Sequence, residues 1–165
     1  MISIRNLLLI SFLCPGIFTY AQSKHIIQNI VATYSVHLPG NIPVDRNGKS
    51  MLRQDTVYVI YIETASKEIR WNMAFHNDKS YSIITTLIDS SRINVGTVKS
   101  SGENLILRAK SGNKLWQLQL VPGEKKLPGH THLFRGEILL QGIYHGKKIT
   151  QKIYKQTELI SIPSV

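Results

Sequence analysis

The fold class is decided by residues 56–64, which read Thr-Val-Tyr-Val-Ile-Tyr-Ile-Glu-Thr. Almost all of these residues are β-branched or aromatic, and such side chains pack well on the pleated surface of a sheet. Because side chains alternate between the two faces of a strand, Val57 and Val59 lie on one face and Ile60 and Ile62 on the other. The stretch therefore predicts a central strand that is buried on both sides.

Working outward from this strand, the chain continues in short segments with a period of two rather than a helical period. In residues 113–121, for example, Trp116, Leu118 and Leu120 alternate with glutamines. Turn-forming residues such as Asn, Asp, Ser and Gly separate the segments. The sequence predicts a single all-β domain of about eight to nine strands, mostly sequential and antiparallel.

Connection lengths restrict the arrangement of these strands. Most of the connections are too short for a crossover and favour hairpins, which predicts an up-and-down barrel or a curled meander. Two longer loops, residues 39–54 and 122–131, are long enough to cross between two sheets. They leave a two-sheet β-sandwich as the alternative.

The last two predicted strands are joined by His145 and Gly146. A two-residue turn requires positive φ angles, which glycine adopts freely, and it places Tyr144 opposite Lys147. A slip of one residue would exchange the two faces of the hairpin, so this register is a sharp prediction. The face expected to point into the core carries Ile138, Leu140, Ile149 and Ile153.

The first residues resemble an export signal rather than a part of the domain. Residues 1–21 contain Arg5, then a run of apolar residues, and end with the small residues Thr19 and Ala21 at the positions where a signal peptidase cuts. The apolar run is shorter than the roughly 20 residues that span a bilayer. We therefore predict a signal peptide over 1–21, a mature domain over 22–165 without a transmembrane segment, and a periplasmic or secreted location.

Cys14 is the only cysteine of the chain. Anchoring as a lipoprotein through Cys14 is disfavoured, because the preceding Leu13 is larger than the small residue that usually stands there. Removal of residues 1–21 would leave a mature chain without cysteine. Such a chain contains no disulfide and no thiolate nucleophile, so its stability depends on burial alone.

The chain is strongly basic, with 20 Lys and Arg against 10 Asp and Glu and a formal net charge of +10. One candidate site is a polyanion-binding surface on the last strand for an anionic glycan or glycolipid. The better supported interpretation is that these lysines only maintain solubility and protect a sheet edge. Nucleic acid is a less favoured partner, because the lysines lack interleaved Arg and aromatic residues. The surface would consist of Lys147, Lys148, Lys152 and Lys155.

Three aromatic residues are candidates for lining a ligand pocket: Trp71, Trp116 and Tyr58. Each lies on the apolar face of a predicted strand, where a barrel interior would place it against a small apolar ligand. The competing interpretation is that they belong to the hydrophobic core, which is the more common role of such side chains.

One pair of residues has the spacing of metal ligands, His130 and His132. Residues i and i+2 of a strand point the same way, so both imidazoles could reach one ion. The sequence identifies no third ligand, and it contains no phosphate-binding glycine loop and no nucleophile elbow. An enzymatic activity is therefore the less favoured interpretation, and no cofactor is predicted.

Taken together, these patterns predict an exported, non-enzymatic binding or interaction module with an unidentified protein or envelope partner. The alternatives are a binder of a small apolar ligand or of a polyanion, and a metal-dependent protein or enzyme centred on His130 and His132.

Overall fold

A computed structural model describes residues 26–37, 46–48, 55–65, 69–123 and 133–161. These residues confirm the predicted all-β single domain. They contain no helix with the length and apolar character needed to cross a membrane. The strands are β1 (Ile27–His37), β2 (Asp55–Thr64), β3 (Arg70–His76), β4 (Lys79–Ile88), β5 (Arg92–Thr97), β6 (Asn104–Arg108), β7 (Lys114–Gly123), β8 (Ile138–Tyr144), β9 (Lys147–Ile153) and β10 (Gln156–Glu158).

Eight of these strands form one curled sheet, a half-barrel, in the order β10-β1-β2-β7-β4-β3-β8-β9. The remaining two, β5 and β6, form a small hairpin of their own. Neighbours in the large sheet are antiparallel, except that β1 and β10 are parallel. Chain order is kept in the pairs β1–β2, β3–β4 and β8–β9, whereas β7 lies between β2 and β4.

The concave face of the half-barrel holds the main hydrophobic core. Residues of β1 and β9 pack in the same apolar cluster although these strands lie near opposite ends of the sheet, which shows that this face curls inward. Burial of the large apolar side chains on this face is the main stabilising contribution, at about 1.5–3 kcal/mol for each. The fully buried members are Ile60, Ile62, Ala74, Leu118, Ile138 and Leu140.

The convex face is covered where β2 and β7 run side by side. Here Tyr61 and Leu115 pack against Leu107 of the β5–β6 hairpin and form a second cluster. The hairpin therefore buries the outer side of β2, while the core buries its inner side. The predicted central strand with two buried faces is confirmed, with Ile60 at 0% and Tyr61 at 7% exposure.

The predicted register of the last hairpin is also confirmed. Tyr144 pairs with Lys147 and Leu140 pairs with Gln151, through a turn in which His145 and Gly146 have φ angles of 46° and 72°. Positive φ at both turn residues is the conformation whose twist matches the strands of a two-residue hairpin. As a result, Ile138, Leu140 and Ile153 face the core, as expected.

The strands β9 and β10 are almost one continuous strand that changes its partner. β9 pairs with β8, and after Tyr154 and Lys155 the chain continues as β10, which pairs with β1. The two ends of the curled sheet are thereby joined through the backbone. This change of partner leaves two openings, one between β10 and the start of β8 and the other between β9 and the first residues of β1.

Candidate ligand-binding pocket

The first opening is a pocket of about 460 Å³ at one end of the half-barrel, here called the end pocket. Its size is within the range of about 300–1,000 Å³ that is typical of small-molecule sites. Residues from β1, β2, β3, the turn before β8 and the β9–β10 link meet there. The lining residues are Tyr34, Tyr58, His76, Asn77, Arg135, Gly136, Tyr154, Lys155 and Gln156.

Aromatic rings form the inner wall of the end pocket. The ring centre of Tyr58 lies 6.1 Å from that of Tyr34, 4.9 Å from that of His76 and 5.8 Å from that of Tyr81. The Tyr58–His76 and Tyr58–Tyr81 pairs are edge-to-face, an arrangement that aromatic rings favour. The strand registers bring these rings together, because Tyr34 pairs with Tyr58. A packed aromatic cluster of this kind gives the pocket a rigid wall.

The phenols of this wall stay protonated at neutral pH. Burial raises the pKa of Tyr58 and of Tyr81 above the ordinary value of 10.0. Burial, followed by the nearby carboxylate of Glu158, also raises the pKa of Tyr34. The Tyr34 hydroxyl lies 3.3 Å from Oε2 of Glu158, whose Oε1 is 2.6 Å from Nζ of Lys99. Phenols in this state act as hydrogen-bond donors.

The position of the His76 ring is fixed by hydrogen bonds at both nitrogens. The Gly136 N–H donates to Oδ1 of Asn77 at 3.2 Å, which directs the Asn77 amide nitrogen to Nε2 of His76 at 3.0 Å. Nδ1 of His76 lies 2.9 Å from the carbonyl oxygen of Glu137. A carbonyl can only accept, so the ring carries its proton on Nδ1 and accepts at Nε2. Both nitrogens are thus used to hold the ring in place.

The turn at residues 134–137 is held from several sides, and it presents Arg135 to the pocket. Within the turn, the Glu137 N–H donates to the Phe134 carbonyl at 3.0 Å, and the Phe134 N–H donates to Oε2 of Glu137 at 3.1 Å. From β10, the Gln156 amide donates to the Gly136 carbonyl at 2.5 Å. These hydrogen bonds therefore fix the backbone that carries Arg135.

The rim of the end pocket is cationic and aromatic. Arg135 and Lys155 line it, and none of the described lining residues is acidic. Two aromatic residues next to these cations in the chain are unusually open to solvent, Phe134 at 75% and Tyr154 at 72% exposure.

The structure places the aromatic residues predicted from the sequence in three different settings. Tyr58 lines the end pocket. Trp71 is buried in the core at 6% exposure. Trp116 lies on the same strand face as Leu118, is half-buried, and donates from Nε1 to the Thr64 hydroxyl at 3.0 Å.

The structure also places the four predicted polyanion-binding lysines in different positions. Lys148 and Lys152 share the convex face of β9, while Lys147 belongs to the opposite face at the turn. Lys152 Nζ lies 3.8 Å from Oε2 of Glu137. Of the four, Lys155 alone lines the end pocket, which Tyr58 also lines. The structure thus brings one predicted lysine and one predicted aromatic residue into a common site.

The predicted metal ligands His130 and His132 lie outside the described residues. Within the part of the chain that the structure describes, no three His, Cys, Asp or Glu side chains are grouped as metal ligands would be. His76 and Glu137, two further residues with suitable ligand atoms, are engaged with Asn77 and Phe134 instead.

Of the nine residues that line the end pocket, sequence reasoning named Tyr58 and Lys155 as binding residues and missed the other seven. The only local signal among them is the β3–β4 turn, where Asn77 and Asp78 have φ angles of 47° and 60°. Asn-Asp is suited to such a turn, which predicts its position but gives no hint of a pocket. A comparison of the chain with family models, curated proteins and solved structures finds no match.

A titration of the phenols checks the burial of the tyrosines in the aromatic wall and of Tyr61 on the convex face. Tyr34, Tyr58, Tyr61 and Tyr81 have raised pKa values, so their phenolate absorbance should develop above pH 10.0, and near pH 10.0 in denaturant. A raised pKa contributes stability that is complete below the unfolded value and is lost as the pH rises through the folded value. We therefore expect the free energy of unfolding to fall above pH 10.0. Identical titrations of the native and the denatured protein would contradict this expectation.

Proposed function

We propose that the protein is an exported, non-enzymatic binding protein, and that the end pocket holds an acidic saccharide, with a carboxylate or sulfate group on a sugar ring. The observation that carries the proposal is a fixed aromatic wall beside the cations Arg135 and Lys155, with no acidic residue among the lining residues that the structure describes. The export signal expected over residues 1–21 would bring this pocket to the periplasm or the exterior, where acidic glycans occur.

The aromatic part of the pocket suits the apolar face of a sugar ring, and the cationic part suits its acidic group. A sugar ring has an apolar face of C–H groups, which packs on an exposed aromatic ring such as Tyr154 at 72% exposure. A tyrosine offers a large rigid contact surface at low entropic cost. The carboxylate or sulfate would pair with Arg135, whose planar guanidinium binds such groups in a bidentate manner. The protonated phenol of Tyr58 would donate to a ring hydroxyl or acid oxygen.

Several features favour binding over catalysis at this pocket. Both nitrogens of His76 are bonded to neighbouring groups, which suits a positioning role rather than proton transfer to a ligand. The Tyr34 hydroxyl is likewise engaged with Glu158. The interior of the half-barrel is filled by side chains such as Ile60 and Leu118 at 0% exposure, so the ligand would lie at the end of the half-barrel.

The proposal is tested by calorimetric titration with a uronic-acid trisaccharide and with the same trisaccharide reduced to its neutral form. We expect saturable binding of the acidic form and an affinity at least about tenfold lower for the neutral form, because one bidentate ion pair is lost. Arg135→Gln and Tyr58→Leu should each weaken binding of the acidic form by about tenfold. Added salt should weaken it as well.

Lys148→Gln provides the matched control, because it removes the same charge from an exposed position on the convex face of β9. It should leave the affinity within about twofold of the parent, which corresponds to a small long-range charge effect. Equal affinities for the acidic and the neutral trisaccharide, or an equal loss in Lys148→Gln and Arg135→Gln, would reject the end pocket as an anion-reading site.

A further inference from the structure

The two most exposed large hydrophobic side chains of the described residues are aromatic, and each is followed in the chain by a cation. Phe134 is 75% exposed and precedes Arg135, and Tyr154 is 72% exposed and precedes Lys155. Four isoleucines are also exposed, by 36% to 55%, but none of them is next to a charged residue. Single exposed apolar residues are normal on a protein surface. The two aromatic–cation pairs, here together called the aromatic rim, differ from them in their composition.

The two pairs of the aromatic rim lie next to each other at the end pocket. The side-chain amide of Gln156 donates to the carbonyl of Gly136 at 2.5 Å and so ties the two segments together. Phe134 and Tyr154 each precede one of these bonded residues by two positions, a Cα–Cα distance of at most about 7.6 Å. Three of the four rim residues also line the same pocket. The aromatic rim is therefore one surface, although its residues are far apart in the sequence.

The two cations of the aromatic rim have no ion-pair partner among the described residues. The carboxylates of the adjoining segments are engaged with other groups. Oε2 of Glu137 accepts from the Phe134 N–H and lies 3.8 Å from Nζ of Lys152. Oε1 of Glu158 lies 2.6 Å from Nζ of Lys99. The aromatic rim therefore keeps its positive charge.

An anionic lipid surface has the two properties that complement the aromatic rim. Its negative head groups attract Lys and Arg side chains, and aromatic rings are favoured at the level of the head groups. The β3–β4 turn, which reaches the pocket through Asn77, adds no net charge, because Asp78 and Lys79 have opposite signs. A second copy of this chain is a poorer partner, since it carries a net charge of +10 and like charges across an interface are unfavourable.

We propose that the aromatic rim docks the protein reversibly on an anionic lipid surface. Phe134 would enter the boundary between head groups and acyl chains, and Tyr154 would lie at the level of the head groups. Arg135 and Lys155 would pair with the lipid phosphates. Docking needs no saccharide in the end pocket, so this proposal goes beyond the proposed function and can fail independently of it.

Flotation with lipid vesicles tests the docking, using the mature protein, residues 22–165, which contains every described strand. One set of vesicles consists of phosphatidylcholine alone, and the other of equal parts of phosphatidylcholine and phosphatidylglycerol. We expect binding to the anionic vesicles to be at least about tenfold tighter than binding to the neutral ones, because two unpaired cations face the lipid. Added salt should weaken the binding to the anionic vesicles.

Matched variants distinguish docking by the aromatic rim from the general attraction of a basic protein. Phe134→Ser should weaken binding to the anionic vesicles at least about fivefold, because the apolar contact with lipid is lost. The control Ile84→Ser changes an isoleucine of β4 that is 55% exposed, and it should stay within about twofold of the parent. Lys155→Gln should weaken binding about fivefold, and Lys148→Gln, on the convex face of β9, less than about twofold.

A second measurement reports directly on contact with lipid. In Phe134→Trp, vesicles that contain brominated lipid should quench the fluorescence of the new indole, because bromine on the acyl chains quenches only nearby rings. Ile84→Trp is the matched control, in which the new indole should not be quenched. Trp71 and Trp116 are present in both variants and contribute the same background.

The proposal would be overturned by equal binding to the two kinds of vesicle, by the absence of binding to the anionic ones, or by equal quenching in the two tryptophan variants. Anionic binding that Phe134→Ser leaves unchanged would overturn it too, since it would reflect charge alone. Phe134 is not a lining residue of the end pocket, so Phe134→Ser should bind the acidic trisaccharide as the parent does. Vesicle binding without trisaccharide binding would support the docking and reject the saccharide site.

Discussion

Replacement of Trp71 by alanine is expected to lower the free energy of unfolding by about 3–5 kcal/mol, the usual cost of removing a large aromatic side chain from a core. Trp71 is 6% exposed and belongs to the main hydrophobic cluster. It pairs with Gly142 of β8, where a Cβ would lie 3.0 Å from Cε3 of the indole and 2.8 Å from the Arg70 carbonyl oxygen. The ring thus fills space that the glycine leaves open.

Chemical denaturation of the parent and Trp71→Ala measures this effect, with Trp116→Ala as the matched control. Trp116 is half-buried, so its loss should cost less than that of Trp71. A cost below about 1 kcal/mol for Trp71→Ala would contradict the packing described here. It would also revive the interpretation of Trp71 as a residue that lines a ligand site.

Replacement of Glu63 by alanine is expected to cost about 2–4 kcal/mol, because it leaves two donors without their acceptor. Glu63 is 4% exposed on the convex face of β2. Its Oε1 accepts hydrogen bonds from the Lys110 backbone N–H at 2.8 Å and from the Asn113 side-chain amide at 2.5 Å. These two bonds fasten the β6–β7 connection to the central strand.

Glu63→Gln provides the control for this prediction, because its amide oxygen can still accept from the Lys110 N–H. Its loss of stability should be less than half that of Glu63→Ala, since one acceptor oxygen is retained. Amide exchange at Lys110 should accelerate in the alanine variant and change little in the glutamine variant. Equal denaturation midpoints for Glu63→Ala and the parent would show that solvent replaces the carboxylate at no cost.

The elements that could be predicted from the sequence are those whose signal is local. Residues 56–64 are apolar on both faces, and β2 is indeed covered on both sides. The His145-Gly146 turn fixes the pairing of β8 with β9, and the structure has that register. In both cases neighbouring residues alone determine the outcome, through side-chain alternation and turn geometry.

The order of the strands carries no comparable local signal. The connection between β2 and β3 spans only residues 65–69, a length that favours a hairpin, yet the two strands are not neighbours. Both edges of β2 are occupied, one by β1 and the other by β7. The connection instead brings Ile69, at 7% exposure, into the core. Long-range pairing therefore overrides the preference set by loop length.

Only some residues of the end pocket could be predicted from the sequence, because the pocket also depends on long-range strand pairing. Tyr58 and Lys155 could be selected because aromatic and basic residues are common at binding sites. Arg135 and His76 could not, because no spacing in the chain relates them to Tyr58. Their meeting depends on the pairing of β3 with β8 and on the partner change after β9.

The pairing of β1 with β10 also determines when the protein can finish folding. Tyr34 and Glu158, which meet across this pair, are separated by 124 residues, so the chain must close a very long loop before the contact forms. Contacts of such high sequence separation are slow to form. During synthesis β1 is made early, whereas β10, which pairs with its outer edge, is made late. The pairing of β1 with β10 can therefore form only after β10 has been synthesised, which makes it one of the last parts of the large sheet to form.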